Sequence, residues 1–160
     1  MSHCRACHEY VCAGVCGCVY KHDHEIYFVM RTVQNNGGMT NLDVQDRANC
    51  TVRSLAIAYN IPYQKAYQLC KSAGRKDNRG FYTHKIMKYI WDQGYKYMKV
   101  GVGRKGITLR RFLEQNPIGI FICTRRGHAF TIIHGEIHDT ITNTERQIVT
   151  SAYLVFRKNI

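Results

Sequence analysis

Proline is nearly missing from this chain, with two in 160 residues, which argues against an extended or disordered polymer. No stretch reaches the roughly 18 consecutive apolar residues that a membrane-spanning helix needs, so no such helix is expected. The opening Met1-Ser2-His3-Cys4-Arg5 has neither the basic end nor the apolar run of a signal peptide. Internal repeats and low-complexity tracts are also lacking, which sets aside solenoids and arrays. Acidic side chains are scarce: 11 Asp and Glu face 23 Lys and Arg, for a formal net charge of +12. These absences lead us to expect a chain kept in the cytoplasm and away from membranes. They fit one domain, or one domain with a small appendage.

A hydrophobic fraction of 45% is enough for a packed core. The eight cysteines are read against the expected compartment. In a cytosol they do not suggest a disulfide framework, so metal binding or catalysis is the better explanation. The positive charge is unevenly placed. Residues 1–45 hold three basic and four acidic side chains, while the remaining 115 residues hold 20 and 7, leaving that part at +13. Such a domain attracts polyanions or acidic protein surfaces.

Residues 1–24 stand apart, with Cys4, Cys7, Cys12, Cys16 and Cys18 among His3, His8, His22 and His24. Cys4-x2-Cys7 matches a zinc knuckle, in which two thiolates share one tetrahedral ion. A structural zinc on Cys4, Cys7, Cys16 and Cys18 is expected, with Cys12 and His22 as replacements. Cys4-Arg5-Ala6-Cys7-His8 also spells a haem-attachment pattern, but attachment follows export, for which no signal is present. Residues 25–33 then alternate as a strand, with Ile26, Phe28 and Met30 on one face. Asn35-Asn36-Gly37-Gly38 is the expected boundary. The division is therefore a zinc module with a strand over residues 1–38 and an α+β domain over residues 39–160.

Asn49 suits the N-cap of a helix whose Val52, Leu55, Ala56 and Tyr59 share one face. Pro62 fits the entry to a second helix over Tyr63 to Ala73, closed by Gly74. Arg75 to Gly80 reads as a polar basic loop. Thr83 should cap a third helix carrying Ile86, Met87, Ile90 and Trp91. Strands are expected over 95–102, 117–123, 128–134, 136–138 and 151–157, with a short helix over 108–115. Helices followed by a mostly antiparallel sheet define an α+β plan.

Cys50 falls where the first of these helices begins. There the macrodipole and the free N–H groups favour thiolate over thiol. A histidine from a distant strand can take the thiol proton, and a carboxylate can fix the imidazole. His128 follows Gly127 at the start of a strand, with His134 and His138 as competing imidazoles. Asp139 is the preferred carboxylate group, over Asn143 as orienter. Arg125 and Arg126, just before His128, are placed to select acidic residues beside a scissile bond. Basic residues interleaved with Phe81, Tyr82, Tyr95, Tyr97 and Phe112 also suit phosphate contacts with base stacking.

Asn49-Cys50-Thr51-Val52-Arg53-Ser54-Leu55 resembles the nucleophile helix of papain-like hydrolases. It is also similar to the Asp-Gly-Asn-Cys-Leu-Phe-Arg-Ser pattern of ovarian-tumour-type deubiquitinases, with Asp46 one residue further from the cysteine. Residues 117–140 are similar to the His-to-Asp half of bacteriophage papain-like proteins and bacteriocin-processing peptidases. The resemblance spans about residues 43–158. It implies a papain-like α+β fold, a nucleophile helix packed on an antiparallel sheet, and a Cys50–His128–Asp139 triad. It further implies a protein or peptide substrate cleaved at a peptide or isopeptide bond, in a host cytosol if the source is a phage. Gln45 lies one residue nearer the cysteine than the usual oxyanion-hole Gln of the family, with Asp46 as the other occupant. The alternative is a non-catalytic, zinc-stapled basic protein that binds nucleic acid or a host protein.

Overall fold

Proline and left-handed residues punctuate the helical half of the chain. In the computed structural model, which describes residues 11–12, 18–22, 25–28, 30–40 and 47–158 (the first three stretches by backbone only), four helices occur. Helix α1 spans Cys50–Tyr59 and ends at Asn60, whose left-handed φ of 52° turns the chain toward Pro62. The Asn60 N–H bonds back to the Ala56 and Ile57 carbonyls, satisfying acceptors that the helix end leaves open. Helix α2 (Tyr63–Ser72) starts right after Pro62, and α3 spans Thr83–Asp92. Helix α4 (Leu109–Gln115) is capped by Thr108, whose side chain accepts from the Arg111 N–H.

Strands β1 (Val11–Cys12), β2 (Cys18–His22) and β3 (Glu25–Phe28) form a small antiparallel sheet. The main sheet has six strands in the order β4-β9-β8-β7-β11-β5. These are β4 (Thr32–Gln34), β5 (Lys96–Val100), β7 (Ile120–Arg125), β8 (His128–Ile133), β9 (Glu136–Asp139) and β11 (Ser151–Phe156). All neighbours are antiparallel except β4 and β9, which run parallel. A two-stranded ribbon joins β6 (Ile107–Thr108) to β10 (Ile148–Val149). The molecule is thus α+β.

The expected strand over residues 25–33 is divided. Its first part pairs with β2, whereas Thr32–Gln34 joins the edge of the six-stranded sheet beside β9. Residues just before the Asn35–Gly38 turn therefore belong to the larger sheet.

Alternation along the strands builds two apolar layers. Ile122, Tyr153 and Val155 face α1, α2 and α3. Phe121, Cys123, Phe130, Ile132, Ile137 and Ala152 point the other way, onto Leu109, Phe112 and Leu113 of α4 and onto Val149. Helix α1 is buried on nearly every side, since Thr51, Val52, Ser54, Leu55, Ala56, Ile57, Ala58 and Tyr59 are all enclosed. Its small residues allow close approach to the sheet, where the buried Thr131 hydroxyl of β8 donates to the Ser54 carbonyl at 3.0 Å. At its other end Arg157 donates to the Ala58 and Ile57 carbonyls, each at 2.9 Å, a cation placed where the dipole favours it. The start of α1 is thereby fixed against the start of β8.

Candidate active site

The N-terminus of α1 is electrostatically open. Its first turn contains no acidic residue and no side chain caps it. Asn49, the expected cap, is only 2% exposed and is occupied elsewhere. Its Oδ1 accepts from Arg53 Nη1 at 2.8 Å, and its Nδ2 lies 3.0 Å from Met39 Sδ. Arg53, one turn along the helix, outcompetes the backbone for that oxygen. The positive end of the macrodipole thus remains available to Cys50. The preceding turn is held by Arg75, whose Nη2 donates to the Ala48 carbonyl at 2.9 Å. Arg75 is 3% exposed and serves packing, where the sequence suggested a solvated basic loop. Thr83 likewise is not a cap: it is the first residue of α3, after Tyr82.

His128 opens β8 directly after Gly127, whose φ of 71° closes the turn from β7. Its Nε2 lies 2.7 Å from Asp139 Oδ2. The ring thus offers its other nitrogen, Nδ1, to Cys50, with which it is hydrogen-bonded. The Ala129 backbone N–H also bonds to the Cys50 sulfur. The side chains of His128 and Asp139 are 8% and 2% exposed, so water competes little for this contact. Asp139 Oδ1 accepts from the Thr140 N–H at 2.8 Å, and Oδ2 accepts from Asn143 Nδ2 at 3.0 Å. Gln147 Nε2 in turn donates to Asn143 Oδ1 at 2.6 Å. Asn143, considered from sequence as a rival to Asp139, instead supports it.

The competing histidines go elsewhere. His134 is exposed in a turn with φ 48°, its Nδ1 accepting from the Gly119 N–H at 3.3 Å. His138 precedes Asp139 on β9 and so projects from the opposite face, with its Nδ1 3.1 Å from Asn35 Nδ2.

These contacts set the charge states. Burial pushes the Cys50 thiol up. The hydrogen bonds from His128 and Ala129 and the charges of His128 and Arg53 outweigh it, leaving the pKa below 9.0. Burial alone would lower His128, but hydrogen bonds and charge attraction from Asp139 and Cys50 raise it to about 9. Asp139 is held down against its own burial by the bonds from His128 and Asn143, the charge of His128 and the Thr140 N–H. A thiolate–imidazolium pair is the state these shifts favour.

Cys50 and His128 open onto a cleft of about 700 Å³. One wall is the Gly80–His84 segment at the start of α3, and the other is formed by the β7–β8 turn with β11 and Lys99 of β5. Arg125 and Arg126 line this cleft, as the sequence suggested for substrate contact. Gln45 and Asp46 lie outside the described residues.

The zinc expectation is corrected. Among the described residues no group of three or more His, Cys, Asp or Glu is placed to hold a metal ion. Cys18 is drawn into the β1–β2 ladder opposite Cys12, an extended pairing rather than a knuckle turn. Cys4, Cys7 and Cys16 lie outside the described residues. No helix among the described residues is long and apolar enough to cross a membrane.

Comparison with protein-family models, with curated proteins and with solved structures finds no match.

Proposed function

We propose that this protein is a papain-like thiol hydrolase that cleaves a peptide or isopeptide bond. The observation that supports this is the hydrogen-bonded line from Cys50 through His128 to Asp139, with the sulfur at a helix N-terminus and facing a cleft. The α1 helix lying on a mostly antiparallel sheet that carries the histidine is the layout such an enzyme uses.

The Cys50 thiolate attacks the substrate carbonyl carbon, and the C=O pair moves onto oxygen. The backbone N–H of Cys50 is one donor for that oxyanion, and Gln45 is the assigned second. The protonated His128 gives its Nδ1 proton to the departing amine as the C–N bond breaks, leaving a thioester on Cys50. Water then adds to the thioester while His128 takes its proton, and the second collapse releases the acid and the thiolate. Throughout, Asp139 holds the ring orientation through Nε2, and Asn143 holds Asp139.

The test is to incubate the wild type and Cys50→Ala with a complex peptide mixture and map new N-termini. Cleavage by the wild type with a loss of about a thousandfold or more in Cys50→Ala is expected, since the nucleophile has no substitute. Cleavage that survives in Cys50→Ala, or none by a folded wild type, would overturn the reading.

A further inference from the structure

The charge of the cleft is one-sided. Lys99, Arg125 and Arg126 line it together with His84, and among the described residues no Asp or Glu is in its walls. None of these three cations takes part in an ion pair among the described residues. Arg125 is the most constrained of them. It pairs across the β7–β8 hairpin with His128, so it stands beside the reacting atoms. Its Nε is enclosed and has no hydrogen-bond partner among the described residues. An enclosed donor on a permanent cation is costly to leave unpaired, and a carboxylate matches the guanidinium fork bidentately.

Resting on the hydrolase reading above, we propose that the cleft selects acidic peptides, with a Glu or Asp side chain beside the scissile bond bound by Arg125. Arg126, exposed at the tip of the same turn, adds attraction for the same carboxylate. Lys99 lies three strand spacings from β8 in the sheet order, about 14 Å across. An extended peptide rises about 3.3 Å per residue, so Lys99 is positioned for a second acidic side chain some four to five residues away. On the hydrolase reading the ligand is a peptide, and the anionic side chains a peptide ordinarily offers are the carboxylates of Asp and Glu.

The experiment compares alkylation of Cys50 by iodoacetate, an anion, and by neutral iodoacetamide. In both, the sulfur–carbon bond forms as iodide leaves, so the rate ratio isolates attraction of the negative group. The ratio should fall about tenfold in Arg125→Gln and only partly in Arg125→Lys, and it should approach the Arg125→Gln value in high salt. Arg104→Gln, which removes the same charge from an exposed turn outside the cleft, should leave the ratio near wild type. In parallel, hexaglutamate should protect Cys50 from iodoacetamide, whereas hexaglutamine should not. Fast alkylation by both reagents with a ratio unmoved by Arg125→Gln, or equally moved by Arg104→Gln, would overturn acidic selection and leave the hydrolase reading standing. Protection by a single-stranded oligonucleotide but not by hexaglutamate would overturn it in favour of nucleic acid. Wild-type rates as slow as those of an unperturbed thiol with both reagents would remove the hydrolase reading, and this inference with it.

Discussion

Two cysteines of this chain show how surroundings decide chemistry. Cys123 is enclosed among apolar side chains, and burial alone pushes its thiol well above the ordinary value. Cys50 is also penalised by burial, yet its partners pull it down. The difference lies in His128, the Ala129 N–H and Arg53. It follows that His128 should share the perturbation. Its ring carbon protons, followed by NMR, should titrate near pH 9 rather than near 6.5. Cys50→Ala and Asp139→Asn should each move that titration down, because each removes a group that favours the charged ring. A wild-type titration near 6.5 that neither variant shifts would contradict the pairing. At this scale the sequence was informative for residues whose role is tied to a local signal. A cysteine at a helix start, a histidine after a turn glycine and an aspartate closing the next strand each carry such a signal. Arg75 and the Gln147–Asn143 support of Asp139 carry none, since a buried arginine and a solvated one look alike in sequence.

The elements that matter most are α1 and β8, because Cys50 starts one and His128 starts the other. Their mutual placement is fixed along their length as well as at the site. The Thr131 hydroxyl bond to the Ser54 carbonyl ties the two together about one helical turn from Cys50, at a buried point. Thr131→Val keeps the shape but removes the bond, and should cost about 1 kcal/mol in chemical denaturation. If the bond also sets the alignment of α1 against β8, alkylation of Cys50 should slow in this variant. An unchanged stability and an unchanged alkylation rate would show that packing alone aligns the pair. Helix positions were legible here because proline, left-handed turns and apolar spacing act locally. Asn49 does occupy the N-cap position, but its side chain makes no capping bond because Arg53 competes for its oxygen, a contest the cap pattern does not encode. The divided strand over residues 25–33 depends on which distant strand each half pairs with, so periodicity alone could not divide it.

On the scale of the molecule, the sheet separates two apolar layers and leaves His128 and Asp139 at one end of its central strands, where the start of α1 meets them. The α+β plan was readable from the order of elements, whereas the parallel β4–β9 edge and the strand order depend on long-range pairing. Part of the formal charge of +12 is located at the cleft, where Lys99, Arg125 and Arg126 stand without carboxylate partners among the described residues. The central claim is that this architecture holds Cys50 as a thiolate beside a charged His128. The most direct measurement is the rate of Cys50 alkylation by iodoacetamide as a function of pH, in the wild type and in His128→Ala. Thiolate is the reacting form, so the rate rises as pH passes the Cys50 pKa. A wild-type midpoint below pH 9.0 is expected, and it should move up in His128→Ala. A wild-type rate that rises only near pH 9.0 or above, with the same profile in His128→Ala, would contradict it.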